Sequence, residues 1–207
     1  MNKKLFLYSV PIVLVPYLAL FALAAIFFFA TVPFFRWLME TIFDNNALYL
    51  IAALFLYCLL AVVLSVVFFF ISIRKNWDAL SLAKFAMIVK LIQAPAYLCI
   101  FVLGCLFLVT IFTIPFTIGL FLIDCLSVFI TGLFVISSVI IAIRKNIFTF
   151  KEVFWVILLQ FIFCADVIAS VVFYIKLKRL MNEKQHLKDS FVRKRKTYWR
   201  LVVGSSV

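Results

Sequence analysis

The sequence predicts an all-α fold, a multi-pass transmembrane helical bundle of about five spans followed by a basic amphipathic C-terminal tail. Of its 207 residues, 68% are hydrophobic and 14% are charged, whereas soluble domains are about half apolar and a quarter charged. The apolar residues form long stretches nearly free of charge, and a membrane-spanning helix needs about 20 such residues. Trp37, Trp77 and Trp155 stand at the ends of these stretches, where indole rings favour the headgroup level. These observations exclude an ordinary soluble domain, a disordered chain and a disulfide-rich secreted scaffold.

Charged residues delimit the predicted spans. The first uncharged run is too long and too bulky for a signal peptide, whose apolar region has about 7 to 15 residues, so we expect a retained helix. The third and fourth runs are separated by a predicted turn at Pro115, because proline ends the helix before it. The predicted spans are 8–33, 47–73, 91–113, 117–143 and 153–175. Residues 1–178 then form the membrane domain, and 179–207 form a cytoplasmic or surface tail.

The distribution of Lys and Arg leaves the orientation of five spans undecided. With the N-terminus inside, nine basic residues lie inside and eleven outside, ten of the latter in the tail. Because the two totals are so similar, the positive-inside rule does not favour either orientation. Either the basic tail is outside, or one segment, the fifth by preference because Asp166 interrupts it, does not span fully. We expect the N-terminus inside.

The tetrapeptide Ile-Arg-Lys-Asn occurs twice, at 73–76 and 143–146, each time directly after a long apolar span. Two interpretations are open. The repeated tetrapeptide indicates either a duplicated helical hairpin or the general preference of span ends for Arg and Lys.

Two acidic residues inside the predicted spans are the candidate functional side chains. A charged Asp in mid-membrane costs about 2.5 to 3.5 kcal/mol, so Asp124 and Asp166 should face the bundle interior. At 1.5 Å per residue they lie about 10 and 14 Å deep from the same side, with Gln160 close by. The three side chains form a predicted polar site for a proton or cation, with Asp124 as the partner of Asp166. The alternative is that each acid only forms a hydrogen bond with a neighbouring helix. Lys90 is expected at the membrane edge, with its ammonium reaching the interface.

The basic tail is predicted to contact lipid. The net charge of +12 comes from residues in loops and at the chain ends, which is typical of anchoring to anionic headgroups and argues against nucleic-acid binding. From Leu177 onward, apolar and basic residues alternate with helical spacing, so a short amphipathic helix along the membrane surface is expected. The predicted lipid-contacting residues are Arg193, Lys194, Arg195 and Lys196. A membrane-protein partner or a homo-oligomer is the alternative use of these surfaces.

The residue inventory argues against an enzyme. The chain has one His and four Gly, and it contains no phosphate-binding loop, dinucleotide-binding glycine pattern, zinc-protease motif or nucleophile elbow. The five cysteines lie in uncharged runs without C-x-x-C spacing, so they are interpreted as apolar residues and not as disulfides or metal ligands. No cofactor and no metal are expected.

Three segments carry a resemblance to a known family. At 90–97, 112–116 and 159–168 the chain resembles an uncharacterised family, a domain of unknown function, of small multi-pass membrane proteins from Gram-positive bacteria. The resemblance covers about residues 84–178 and places Asp166 in the family's most distinctive stretch. It implies a multi-pass protein of a bacterial plasma membrane, and it transfers no activity.

Two classes of function follow. The first is a non-enzymatic accessory, immunity-type or regulatory membrane component that acts through its helices and tail, and the sequence favours this class. The alternative is a small proton- or cation-coupled transporter or channel-like protein that uses Asp124 and Asp166. Convergence of the acids on a polar cavity would favour the alternative.

Overall fold

The computed structural model describes residues 3–109, 111–160, 162 and 165–204, and within them all regular structure is helical. This confirms the all-α helical bundle. A 3₁₀ turn at Ile111–Thr113 separates the fourth and fifth helices. The α-helices are α1 Lys3–Phe28, α2 Pro33–Ile42, α3 Ala47–Arg74, α4 Ala79–Phe107, α5 Ile114–Arg144, α6 Phe150–Leu159 and α7 Ala165–Gly204.

Four helices of the described chain are long and apolar enough to cross a membrane: 10–28 of α1, and all of α3, α4 and α5. Helix α5 is the most enclosed of them, whereas α3 exposes many large apolar side chains. An exposed apolar surface of this size is expected to face lipid rather than water. The expectation of a membrane-embedded protein is therefore confirmed at this level.

Two predicted span boundaries are corrected. Helix α1 ends at Phe28 instead of 33, and a short helix α2 follows, whose polar face carries Arg36. Helix α4 begins at Ala79, twelve residues before the predicted start at 91, because Lys84 and Lys90 lie within the helix. The start of α5 agrees with the sequence, since Pro115 lies in its first turn, where a missing N–H costs nothing.

The repeated Ile-Arg-Lys-Asn sequence forms the same helix end twice. Asn76 and Asn146 adopt left-handed backbone conformations, with φ of 47° and 51°. In both copies the residue after the asparagine donates its N–H to the carbonyl five residues earlier, Trp77 to Ser72 and Ile147 to Ala142. This is the hydrogen-bond pattern of a Schellman cap, and asparagine tolerates the required backbone conformation. The need for the same helix cap at both span ends thus accounts for the repeated tetrapeptide. Duplication of the helical hairpin stays a prediction.

The fifth apolar segment is not a continuous span, so the predicted helix over 153–175 is wrong. Helix α6 is only ten residues long, about 15 Å at 1.5 Å per residue, and α7 begins after a break. Gln160 and Asp166, on either side of the break, both meet Lys90 in the middle of α4. Helix α7 then returns to the end of the bundle where α6 began, since Phe173 packs against Phe148 at 5.8 Å between ring centroids. The segment is a helical hairpin that enters and leaves at one end.

The tail is a direct continuation of this hairpin. Helix α7 runs for 40 residues without interruption, so the expected separate surface helix from Leu177 onward is not formed, and Leu177 itself is fully buried against the bundle. Further along, Lys184 Nζ donates to the Asn146 carbonyl at 2.6 Å. Arg193 and Arg195 are exposed, while the side chains of Lys194 and Lys196 lie outside the described residues. Lipid binding by this cluster stays a prediction.

Because the fifth segment turns back, the count of Lys and Arg residues no longer leaves the orientation undecided. Helix α1 runs away from the end that carries the hairpin mouth, because Ile12 lies beside Gln93 and Phe27 stacks on Phe107 at the far end of α4. The chain's start, both Arg-Lys loops and the tail are thus at one end of the bundle. All Lys and Arg residues except Lys90 and Arg36, eighteen of twenty, belong to this end. The positive-inside rule then predicts that this end is cytoplasmic.

Both termini are therefore expected on the same side of the membrane. Single cysteines introduced at Lys75, Asn146 and Lys178 in a cysteine-free background should react with an impermeant maleimide from one side only. Cysteines at Asn45 and Val109, at the opposite end of the bundle, should react from the other side. Labelling of position 178 together with position 45 would mean that the fifth segment crosses the membrane and would contradict the hairpin.

Candidate functional site: a buried polar centre

The centre of the bundle contains a buried ion pair. Lys90 Nζ lies 2.8 Å from Asp166 Oδ2, with the two side chains at 0% and 1% exposure. The same ammonium donates to Gln160 Oε1 at 2.5 Å. Ser170 donates to Gln160 Oε1 at 3.3 Å and to the Asp166 carbonyl at 2.7 Å. The Lys90 ammonium thus connects helix α4 to the break between α6 and α7, because it binds one acceptor on each side of that break.

The break itself explains why Asp166 and Gln160 can meet there. Asp166 lies in the first turn of α7, where the partial positive charge of the helix N-terminus stabilises a carboxylate. Gln160 follows the last residue of α6 and lies against Gly132 of α5, where an added Cβ would be in ordinary contact, 3.7 Å from the Gln160 Cβ. Irregular backbone at membrane depth is tolerated only where protein surrounds it, and Lys90 provides that contact.

A second set of contacts holds the polar face of α4 against α1. Pro16 of α1 has no N–H, so the Ile12 carbonyl has no partner within its own helix. Gln93 Nε2 donates to this carbonyl at 2.9 Å, and Tyr97 donates to Gln93 Oε1 at 2.7 Å. Residues 90, 93 and 97 share one helix face by their spacing. The proline in α1 therefore positions the polar face of α4.

Asp124 lies on the neighbouring face of α5 but is not the partner of Asp166. The expectation that the two carboxyls pair with each other is corrected, because Lys90 already pairs with Asp166. Asp124 is 6% exposed, interacts electrostatically with Asp166, and has an Oδ1 atom with no hydrogen-bond partner in the described chain. It also lines a groove of about 600 Å³ between α4 and α5. Of the three predicted site residues, the structure joins Gln160 and Asp166 through the Lys90 ammonium and places Asp124 within electrostatic range of Asp166.

Four buried polar atoms of the described chain have no hydrogen-bond partner in it, and all belong to this region. They are Asp124 Oδ1, Ser127 Oγ, Gln160 Nε2 and Asp166 Oδ1. Buried polar groups are nearly always paired, so these four atoms are the ones in the described core that can still form a hydrogen bond with water, a proton or a ligand. Three of the four atoms can accept a hydrogen bond from a cation or a protonated group.

Lys90 is the site residue that sequence reasoning placed wrongly. It was expected at the membrane edge, but helix α4 begins at Ala79, so Lys90 lies eleven residues inside it, about 16 Å at 1.5 Å per residue. The sequence did contain a signal for the buried position of Lys90. Lys90, Gln93 and Tyr97 are spaced so that they form one polar helix face in a long apolar stretch. A single helix face with a cation and two hydrogen-bonding groups is typical of a buried site rather than an anchor.

No group of three or more His, Cys, Asp or Glu residues suited to a metal ion occurs within residues 3–109, 111–160, 162 and 165–204. Cys58, Cys99, Cys105 and Cys125 are free thiols, and Cys164 lies outside the described residues.

Comparison of the chain with protein-family models, curated proteins and solved structures finds no match. The resemblance to small membrane proteins of Gram-positive bacteria, and the bacterial plasma membrane that it implies, therefore stay predictions.

Proposed function

We propose that this protein is a small membrane carrier that binds and transfers protons or cations at the buried polar centre. The supporting observation is the arrangement of Asp124 beside the Lys90–Asp166 pair, at a helix break deep in the bundle. Helices interrupted at mid-membrane, with polar groups at the break, are the usual construction of ion and substrate sites in transporters.

Asp124 is the exchangeable carboxyl in this proposal. Asp166 is already neutralised by Lys90, so both together contribute no net charge. An ionised Asp124 without a partner is costly in a membrane interior, and a proton or a bound cation removes that cost. The centre then alternates between a charged and a neutral state, which is the requirement for carrying a positive charge.

The accessory or regulatory function remains the alternative, and α7 is the feature that favours it. The helix extends well beyond the bundle and carries most of the basic tail on exposed positions. A surface of this kind suits anionic headgroups or an acidic protein partner. Purely accessory action, however, assigns no role to four unpartnered polar atoms in the described core. We also propose that the protein is not an enzyme.

Reconstituted protein should conduct protons or small cations, and Asp124→Asn should abolish this flux. Vesicles with an internal pH-sensitive dye, energised by a potassium diffusion potential, measure the proton flux, and internal sodium- or potassium-sensitive dyes measure the flux of each cation down its gradient. The change keeps the shape of the side chain and removes its charge. Asp189→Asn, which alters an exposed carboxyl of the tail, is the matched control and should leave the flux unchanged. No flux of protons, sodium or potassium above that of empty vesicles would contradict the carrier function and favour the accessory one.

A further inference from the structure

The groove between α4 and α5 is larger and more apolar than a site for small ions needs to be. It encloses about 600 Å³ and is lined by twelve residues, of which Asp124 is the one charged residue. On α5 its lining runs from Thr117 to Phe129, about 18 Å at 1.5 Å per residue. Volumes of this size are typical of sites for organic molecules.

The groove opens on the lipid-facing side of the bundle. Phe101, Leu108 and Phe121 form its rim, and each is more than half exposed. The two helices approach closely near the outer end, where a Cβ on Gly104 would lie 3.9 Å from the Thr117 Cγ2. An occupant would therefore enter sideways from the bilayer, with its apolar part against aromatic and aliphatic side chains.

Asp124 determines the polar part of the occupant. It lies midway along the groove, is more than nine-tenths buried, and has an unpartnered Oδ1. A carboxylate favours a head group that is positively charged and donates hydrogen bonds, and it disfavours an anionic head.

We propose that the groove between α4 and α5 binds a single-chain amphiphile with a primary ammonium head, whose nitrogen pairs with Asp124 while its alkyl chain fills the groove. This inference rests on the proposed role of Asp124 as the cation-binding carboxyl and names the substrate class. The ammonium takes the place of the proton or small cation at Asp124, and the centre has the same net charge in either case.

Two native cysteines report on occupancy without any substitution. Cys105 and Cys125 line the groove, while Cys99, on the same helix as Cys105, is exposed but lies outside it. Protein in lipid nanodiscs is treated with N-ethylmaleimide, and the modification rate of each cysteine is followed by peptide mass spectrometry. Dodecylammonium should slow modification of Cys105 and Cys125 several-fold and leave Cys99 unchanged. Laurate, with the same chain length and a negative head, should protect neither groove cysteine.

Asp124→Asn provides the second arm of the experiment. The variant should lose protection by dodecylammonium, because the amide no longer pairs with the cation. Equal protection by laurate, protection that survives Asp124→Asn, or no protection by dodecylammonium would each overturn the proposal. Since the readout is binding, an unprotected groove in a protein that still conducts ions refutes the substrate class alone. Conversely, protection in a protein without flux refutes the carrier function alone.

Discussion

Lys90→Met should destabilise the protein by about 3–5 kcal/mol, the cost of leaving one charge of a buried pair without its partner. Met has a similar shape and no charge, so Asp166 would lose its 2.8 Å ion pair and Gln160 its strongest donor. Asp166→Asn should have an effect in the same range, because the ammonium is then left unpaired. Reversible unfolding in bicelles, followed by steric trapping, measures the free-energy difference.

The double variant Lys90→Met with Asp166→Asn should recover most of this loss. Removing both charges of a buried pair avoids the cost of one unpaired charge, and the new amide at position 166 can donate to Gln160 Oε1, which Lys90 no longer occupies. The matched control is the exposed pair Arg179–Glu183, 3.1 Å apart with side chains at 80% and 54% exposure. Glu183→Gln should change stability by less than about 1 kcal/mol. Additive losses in the double variant would show that Lys90 and Asp166 do not act as a pair.

Gln93→Leu should cost about 1–3 kcal/mol, because it leaves the Ile12 carbonyl without a donor inside the bundle. The leucine side chain has nearly the same volume, so packing changes little. Tyr97 also loses its bond to Gln93 Oε1, which contributes to the loss.

Pro16→Ala should rescue part of the loss caused by Gln93→Leu. Alanine restores the N–H at position 16, which can donate to the Ile12 carbonyl four residues earlier. The two substitutions are thus expected to be non-additive, and a double-mutant cycle on the unfolding free energy measures the coupling. Tyr57→Phe is a suitable control, since its hydroxyl donates to the Pro11 carbonyl and is independent of Gln93. Full additivity of Gln93→Leu and Pro16→Ala would contradict the proposed contact.

Much of the fold could be predicted from the sequence because lipid imposes simple rules. Uncharged runs of sufficient length become helices, since no other local structure satisfies the backbone inside a bilayer. Helix α3 and the start of α5 agree with the sequence within a few residues. The boundary of α4 was predicted wrongly, because charge was assumed to end a span and Lys90 is buried with a partner.

The candidate site was predicted in part for a similar reason. A costly acid in a span must face protein, and this principle alone selected Asp124 and Asp166. Their partners depend on which helices pack together, and sequence spacing carries no such information. The choice of Lys90 over Asp124 as the partner of Asp166 was decided by the packing of α4 against α7.

By itself, the sequence determined that this is a helical membrane protein, where most of its helices lie and which acids face the interior, because hydropathy and charge act locally along the chain. Only the tertiary structure decided that the fifth segment turns back. Its length and hydropathy suit a span, but the contacts of Gln160 and Asp166 with Lys90 stabilise a break at depth. That turn brings the tail to the end of the bundle that already holds both Arg-Lys loops and the chain's start. It also creates the polar centre, because a continuous helix would leave no turn there to present both side chains to α4.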